Sequence, residues 1–359
     1  MARELHPGAW WLWALGMATA ASRTTNPLLL AVIVAVLGFV VAARRGDAPW
    51  SRGFRAYVIA ALVVIAIRVL LRTLLDGQYG PHVLFRLPRL PLPHFAAGIR
   101  IGGAVSAEGA LSALYDGARI ATLLLCFGAA NALANAKRLL KSTPAALHEI
   151  SVAVTVALAV APQLIESGAR VRRARRLRAS AGRGFHLLRQ IVIPVMTDAL
   201  DRSLALAAAM DARGFGRTRR LASRGQRVMS GVLVLGGLCG VCVGLYALLD
   251  GTASTVVGAV VLVGGLLFAA TGMMAGARRL RTTRYRPDPW TTREWLVAAA
   301  GLGAAVGLVV AGHIDPANLN PSLQPLRWPA LPIAAVVVIA IGALPAWLAP
   351  PPVLTEAAT

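Results

Sequence analysis

The chain has few residues whose types and spacing could support catalysis. Lys141-Ser142 follows Leu140 at the position where a phosphate-binding loop requires glycine, so the sequence has no Walker A motif. His148-Glu149 begins a zinc-protease pattern, but Val152 occupies the position of the second histidine ligand. No Gly-x-Ser-x-Gly nucleophile motif occurs either. We therefore expect no catalytic residues and no metal site in this chain.

The cysteines indicate neither a disulfide framework nor a metal cluster. Cys126, Cys239 and Cys242 all fall in apolar stretches, and the pair Cys239-x-x-Cys242 has no second pair of ligands. Free cysteines in apolar surroundings behave as small hydrophobic residues. We therefore expect all three to be packing residues.

The composition excludes an ordinary soluble enzyme. Of the 359 residues, 57% are hydrophobic and only 14% are charged, and the mean hydropathy is +0.65. The 37 Lys and Arg residues outnumber the 15 Asp and Glu residues, which gives a formal net charge of +22. Because the charged segments alternate with apolar stretches, we interpret the basic residues as membrane-topology signals and expect no nucleic-acid partner.

The apolar stretches predict an all-α integral membrane protein with about eight membrane helices. They lie near residues 9–22, 27–43, 56–74, 106–134, 228–249, 254–276, 295–312 and 329–348. A cytoplasmic N-terminus places 29 of the Lys and Arg residues inside and five outside, in agreement with the positive-inside rule. Both termini are then predicted to be cytoplasmic, in a multi-pass protein of the lipid bilayer.

The same pattern predicts four parts in the chain. They are N-terminal membrane helices (1–134), a basic cytoplasmic helical module (135–227), a membrane hairpin with a basic loop (228–294) and additional C-terminal membrane helices (295–359). By hydropathy, residues 147–164 could form a further span, but a crossing would place a strongly basic region outside. We expect a helix on or partly within the cytoplasmic face, ended or bent near Pro162, although an even number of crossings would also satisfy the charges.

Prolines and glycines predict the connections and the helix packing. In the predicted outside loop 76–98, Pro88, Pro91 and Pro93 favour an extended connector that is neither helix nor central strand. Glycines four residues apart allow helix backbones to approach closely within lipid. Such glycines are Gly236, Gly240 and Gly244 in one span, and Gly303 and Gly307 in another.

Ionisable residues inside the predicted spans are few, and they include Arg68, Arg72, Asp116 and Arg119. Asp116 and Arg119 are three residues apart on one helical face. Because charges are costly in lipid, we expect these two side chains to neutralise each other.

The module 135–227 is too apolar for a disordered tail, and we expect interfacial helices. Asp198 and Arg202 are spaced to pair at i, i+4, while Pro194 predicts a kink or a boundary between two helices. Strong helix formers from Ala207 end at Gly214, which favours an exposed arginine, Arg213, on the last turn.

In these segments the chain resembles the transmembrane T component of energy-coupling factor (ECF) transporters, the CbiQ/EcfT family. The closest similarity is at residues 204–216, where Ala-Met-Asp-Ala-Arg-Gly-Phe-Gly is similar to the family's Ala-Met-Glu-Ala-Arg-Gly-aromatic motif. Residues 173–177 resemble an earlier related motif, with Arg176 where glycine is usual, and residues 182–184 offer a competing alignment. Further similarities are Leu5-His6-Pro7, Asn26-Pro27-Leu28, residues 98–109 and Leu147-His148-Glu149-Ile150.

The resemblance implies a non-catalytic subunit of an ABC-type importer in a bacterial plasma membrane, for a vitamin or for cobalt or nickel ions. Two cytoplasmic ABC ATPases would bind its coupling helices and use ATP, so the chain itself would bind no cofactor. A substrate-binding membrane S component would pack on its membrane face. The two predicted spans within 295–348 are not accounted for by the usual family core.

Carried over by residue, the resemblance assigns Arg213 as the anchor to one ATPase and Arg175 as the anchor to the other. Arginine suits this role because its planar donor fork bonds carboxylates and carbonyls together. The implied ATPase-coupling residues are Ala174, Arg175, Arg176, Ala212, Arg213 and Gly214, and the implied partner contacts are Met210, Asp211 and Phe215.

Two other functions are compatible with the residues. A membrane enzyme could use the outside loops 76–98 and 313–329, which contain His82, His94, His313 and Asp315. A self-sufficient secondary transporter could use Asp116 and Arg119.

Overall fold

The structure is a computed structural model, and it describes residues 5–46, 53–75, 80–90, 101–135, 138–140, 148–177, 185–214, 224–250, 255–277 and 290–351. The chain divides into two compact units. Unit 1 comprises residues 1–139 and 288–359, and unit 2 comprises residues 140–287. The N-terminal and C-terminal segments therefore belong to the same unit.

The elements of the described residues follow one another in this order: α1 (Pro7–Ser22), α2 (Pro27–Arg44), α3 (Phe54–Leu74), β1 (Val83–Leu90), β2 (Ile101–Ser106), α4 (Ala107–Leu133), α5 (His148–Leu177), α6 (Phe185–Ala212), α7 (Arg224–Asp250), α8 (Thr255–Ala277), α9 (Thr292–Ile314), α10 (Pro316–Leu319), α11 (Ile333–Ile341) and α12 (Pro345–Leu348).

Seven helices of the described part are long and apolar enough to cross a membrane. These candidate spans are 27–44, 54–74, 107–133, 150–174, 228–247, 256–276 and 292–314. The prediction of an all-α membrane protein is confirmed. Two predicted spans differ in length, because α1 has 16 residues and the last stretch is divided between α11 and α12.

Prolines interrupt the helices less than the sequence predicted. α5 continues through Pro162 to Leu177, so it does not end at this proline. α6 likewise continues through Pro194, and the predicted boundary between two helices there was wrong. A proline removes one backbone donor, but the hydrogen bonds of the turns on either side can maintain the helix.

Side-chain caps explain where the first two helices begin. The imidazole of His6 accepts a hydrogen bond from the backbone N–H of Gly8 at 3.1 Å, and Pro7 occupies the first turn of α1. Asn26 accepts one from the N–H of Leu28 at 3.0 Å, again with proline in the first turn. Proline is favoured there because its missing N–H is not needed. The His-Pro and Asn-Pro segments are thus helix starts.

The core of unit 1 forms around α1, which packs against α4 and α9. Trp13 and Met17 of α1 are completely buried. Gly16 and Gly301 lie at the contact of α1 with α9, and a Cβ atom at Gly301 would lie 2.5 Å from the Cα atom of Trp13. The two backbones therefore touch, as expected where small residues let membrane helices approach.

Long-range hydrogen bonds attach the C-terminal segment to the first two helices. The indole N–H of Trp13 donates to the carbonyl of Gly342 at 2.9 Å. Asn26 Nδ2 donates to the carbonyls of Asn318 and Ala330 at 2.8 and 2.7 Å. Residues 290–351 are thus an integral part of the core of unit 1.

Glycines also determine the packing of α7 against α8 in unit 2. A Cβ atom at Gly240 would lie 3.0 Å from the Cα atom of Gly265, and one at Gly244 would lie 2.5 Å from the backbone nitrogen of Leu262. The predicted packing roles of these two glycines are confirmed. Gly236 was wrongly included, because no described atom lies within 4 Å of its Cβ position, whereas the neighbouring Gly237 contacts α8.

Residues 83–106 contain a short antiparallel sheet that the sequence did not predict. β1 pairs with β2, and the register shifts between Leu87 and Leu90, around Pro88. Proline cannot donate to the ladder, but both strands of a two-stranded sheet are edge strands. The segment is extended as predicted and also paired, while Pro91 and Pro93 lie outside the described residues.

Candidate ATPase-coupling site

The candidate site begins at the C-terminal end of α6, where the sequence predicted an exposed arginine. The N–H of Arg213 donates to the carbonyl of Ala209 at 3.3 Å, and the N–H of Gly214 donates to that of Asp211 at 2.8 Å. Gly214 has a φ of +73°, in the left-handed region that glycine adopts without a Cβ penalty. The backbone thus leaves the helix directly after Arg213.

Arg213 is exposed, and its guanidinium makes no hydrogen bond or ion pair within the described part of the chain. Of its neighbours, Asp211 and Ala212 are exposed and Met210 is half-buried. Phe215 lies outside the described residues. The last turn of α6 thus presents a cation and a short run of accessible side chains.

The end of α5 differs from that of α6. Arg175 and Arg176 both lie within the helix, which ends at Leu177, and their side chains are outside the described residues. Ala174 is exposed, and Leu177 is 88% exposed. Because Arg176 stands where the related motif has glycine, the helix continues past Arg175 rather than turning away. The competing segment 182–184 also lies outside the described residues.

A polar cluster joins α5 to α6 upstream of both helix ends. The hydroxyl of Ser167 donates to Asp198 Oδ2 at 2.7 Å, and Arg202 Nε donates to Asp198 Oδ1 at 3.1 Å. Arg170 lies 3.6 Å from Asp198 Oδ2, and Arg202 also donates to Gln163 Oε1 at 3.3 Å. The predicted pairing of Asp198 with Arg202 is confirmed. We call Gln163, Ser167, Arg170, Asp198 and Arg202 the Asp198 cluster.

The environment of Asp198 favours its ionised form. The hydrogen bond from the Ser167 hydroxyl lowers the pKa of Asp198, as do the nearby Arg202 and Arg170 guanidinium groups, and these effects outweigh the opposite effect of desolvation. Asp198 therefore carries a negative charge at neutral pH and ties residues of two helices together.

The α5 members of the Asp198 cluster were missed by sequence reasoning. Gln163, Ser167 and Arg170 are spaced at i, i+4 and i+7, which places them on one face of the helix. That polar stripe is the signal that could have identified them.

The residues considered for an enzymatic role have structural contacts instead. His313 Nδ1 lies 2.8 Å from the carbonyl of Val309, and Asp315 caps α10 by accepting from Asn318. His82 Nδ1 lies 2.5 Å from Oε1 of the buried Glu108. His94 is outside the described residues, within which no three His, Cys, Asp or Glu side chains are grouped to hold a metal ion.

The predicted neutralisation of Asp116 by Arg119 was wrong. Arg119 Nη2 donates to the carbonyl of Ser22, near the end of α1, and no ion pair joins it to Asp116 in the described structure. The physical reason is that a helix C-terminus offers carbonyls without intrahelical partners, which bond well to a guanidinium.

The chain matches a known protein family over most of its N-terminal part. A family model described as CbiQ, cobalt transport protein, matches residues 1–223, which is more than half of the chain. The matched residues include both helix ends of the candidate site, whereas α7 to α12 lie beyond them. A comparison with curated proteins gives no match.

Proposed function

The chain belongs to the CbiQ family of cobalt transport proteins, and from this membership we propose that it is the coupling subunit of an ECF-type ABC importer. It is a multi-pass membrane protein of a transport family. In the proposed complex, two cytoplasmic ABC ATPases bind this chain and a membrane S component binds the solute. The chain itself is a scaffold without catalytic activity or bound cofactor, and ATP is used by its partners.

The observation that carries the proposal is the end of α6. Arg213 is exposed on the last turn, and Gly214 adopts the left-handed conformation that ends the helix directly after it. An arginine in this position can bond bidentately to carboxylates or to several carbonyls in a groove of an ATPase. We propose Arg213 as the anchor to one ATPase, supported by Met210, Asp211, Ala212, Gly214 and Phe215.

The end of α5 is proposed as the second anchor, through Arg175 with Ala174 and Arg176. The Asp198 cluster supports joint movement of the two helices, because it joins them at a point before either end. Arg213 follows Asp198 by 15 residues, or about 22 Å of helix, and Arg175 follows Ser167 by eight residues, or about 12 Å. Closure of the ATPases would move both ends, and the cluster would keep α5 and α6 together.

The charge distribution supports the orientation of the proposed complex. The module containing Arg175 and Arg213 belongs to the strongly basic part of the chain, which the positive-inside rule places in the cytoplasm with both termini. The ATPases would therefore meet it on the cytoplasmic side of a bacterial plasma membrane. The family description favours cobalt as the solute. Nickel and a vitamin are the other candidates.

The proposal is tested by affinity purification of the tagged chain from native membranes in mild detergent, with co-purified proteins identified. We expect the wild type to bring two ATPase subunits and Arg213→Ala to lose most of them. Arg293→Ala is the matched control, because Arg293 is exposed in unit 1 near the start of α9. Absence of any ATPase from the wild-type preparation would contradict the proposal.

A further inference from the structure

A short segment beyond the family-matched residues presents a tryptophan and an arginine at the surface of unit 1. Trp328 is 97% exposed, the highest value among the large hydrophobic residues that the structure describes, and the neighbouring Arg327 is exposed as well. Leu326 and Leu331 are also exposed. We call Leu326, Arg327, Trp328 and Leu331 the Trp328 patch. Large apolar side chains exposed together mark a contact with lipid or with a partner.

Hydrogen bonds hold the backbone on both sides of the Trp328 patch. Before the patch, the carbonyl of the buried Leu319 accepts a hydrogen bond from the Thr24 hydroxyl at 2.6 Å. After it, the carbonyl of Ala330 accepts one from Asn26 Nδ2 at 2.7 Å. The backbone is therefore held against the start of α2, while the side chains of the patch stay exposed.

The Trp328 patch lies where three apolar helices reach the same end of unit 1. α2 begins at Pro27, α9 ends at Ile314 and α11 begins at Ile333, and the bonds of Asn26 bring the connecting residues to the start of α2. Ile314 and Ile333 are 78% and 79% exposed, so the apolar outer surface extends as far as these helix ends. The patch thus lies where the hydrocarbon core of a membrane would end.

The length of α9 agrees with this level. Trp295 is exposed near the start of α9, and 19 residues separate it from Ile314, or about 28 Å of helix. The hydrocarbon core of a bilayer is about 30 Å thick. Trp295 and Trp328 are therefore placed for opposite boundaries of the core, where tryptophan is enriched in membrane proteins.

Charge and size favour lipid over protein as the occupant. Residues 316–351 contain no Asp or Glu, and no described acidic group pairs with Arg327. A second copy of the chain would bring two arginines together, whereas the phosphate of a phospholipid complements this charge. A stable protein interface also takes roughly 800 Å² and 20–30 residues from each partner, and the patch is far smaller.

We propose that the Trp328 patch is a phospholipid-binding anchor, in which the Trp328 indole lies between headgroups and acyl chains and Arg327 binds a lipid phosphate. Leu326 and Leu331 add apolar area on either side. The positive-inside rule places this end of unit 1 at the outer leaflet. The anchor would fix the depth of unit 1 in the membrane, and it belongs to the C-terminal segment that the family match does not include.

A spin-label depth measurement on the full chain in lipid nanodiscs tests the position of Trp328. Cys239→Ser and Cys242→Ser remove the exposed cysteines, Cys126 is buried, and Trp328→Cys carries the label. We expect this label to collide at least twofold more often with oxygen than with a water-soluble nickel complex. A label at Val306, in the middle of α9, is the control and should lie deeper. More frequent collision with the nickel complex at position 328 would overturn the inference.

Photo-crosslinking identifies the occupant. A photoreactive residue in place of Trp328 is expected to form adducts with phospholipid in membranes of the expressing cells, identified by mass spectrometry. Adducts with a second copy of the chain, or with another protein, as the main product would overturn the inference.

Lipid selectivity tests the role of Arg327. In nanodiscs with equal amounts of phosphatidylglycerol and phosphatidylcholine, the photoreactive residue at position 328 is expected to label the anionic lipid about fivefold more. Arg327→Gln should remove this preference, and Arg327→Lys should keep it. The same photoreactive residue at Val306 is the control and should show no preference, because it is expected to face acyl chains. A preference that is absent with Arg327, or unchanged in Arg327→Gln, would overturn the inference.

Discussion

In unit 1, hydrophobic side chains of α1, α2, α4 and α9 are buried together in one core. In unit 2, none of the hydrophobic side chains that the structure describes is buried. Among the described residues of unit 2, the polar residues Ser151 and Ser167 are buried. Its helices are joined instead by glycine contacts between α7 and α8 and by the Asp198 cluster between α5 and α6.

This difference indicates that the two units resist displacement of their helices to different degrees. A helix pair held by few buried contacts can change its arrangement at low free-energy cost, whereas a continuous core resists displacement. The C-terminal helices reinforce the contrast, because they add hydrogen bonds and glycine packing to unit 1 alone. We therefore expect unit 1 to tolerate little change at its backbone contacts and unit 2 to respond mainly at its polar cluster and helix ends.

The largest expected effect is at the contact of α1 with α9. In Gly301→Ala, the new Cβ atom would lie 2.5 Å from the backbone of Trp13, so the helices must separate. We expect a loss of roughly 3 kcal/mol in the free energy of unfolding, as for overpacked cores. Thermal unfolding in detergent measures it.

Gly303→Ala is the control for this contact, because its Cβ atom would lie at an ordinary 3.7 Å from Ile341. Equal stability of the two variants would show that the backbones of α1 and α9 are not in close contact.

A smaller effect is expected where the chain leaves α6. Gly214→Ala forces a Cβ atom into the left-handed conformation, at a cost of roughly 1–2 kcal/mol. Because no described atom lies within 4 Å of that Cβ position, the cost is conformational rather than steric. We expect about tenfold weaker ATPase binding in a titration with purified ATPases.

Gly214→Asn should recover part of this loss, since asparagine tolerates the left-handed region. If Ala and Asn variants bind as tightly as the wild type, the turn at Gly214 has no part in presenting Arg213.

The Asp198 cluster is expected to make a smaller contribution to stability, because its ionic groups are partly exposed and screened by solvent. Asp198→Ala should increase amide hydrogen exchange in α5 and α6. Asp201→Ala removes an exposed aspartate three residues away and should leave the exchange unchanged. Similar exchange in both variants would mean that the cluster does not hold the helices together.

The smallest expected effect is on how the stability of the chain depends on pH. Since the pKa of Asp198 is lowered in the folded chain, its stabilisation is present above the ordinary aspartate value of about 3.9 and is lost as the pH falls through the lower folded value. The difference in thermal midpoint between wild type and Asp198→Asn should thus be constant from pH 7 to about 5 and shrink below about 4. A difference that grows in acid would contradict this assignment.

Local sequence signals predicted most of the helices and one contact within the Asp198 cluster. Apolar windows of sufficient length predicted most of the candidate spans, and the i, i+4 spacing predicted the contact of Asp198 with Arg202. The glycine after Arg213 predicted the end of α6. Each of these features depends on residues close together in the chain.

Features that depend on distant residues were not predicted. Arg119 bonds to Ser22 rather than to Asp116, and α1 meets α9 at Gly301 rather than at Gly303. Likewise, the pairing of β1 with β2 needs a partner strand that the proline spacing does not specify. Several arrangements are acceptable locally, and tertiary contacts decide among them. The sequence alone therefore did not specify these contacts.

The central claim, that the end of α6 anchors an ATPase, is tested most directly by measuring the affinity of purified ATPases for the chain in lipid nanodiscs. We expect Arg213→Ala to weaken binding at least 30-fold, which corresponds to about 2 kcal/mol at an interface hot spot, and Arg213→Lys to restore it only in part. Arg293→Ala should bind like the wild type. Unchanged affinity of Arg213→Ala would contradict the account.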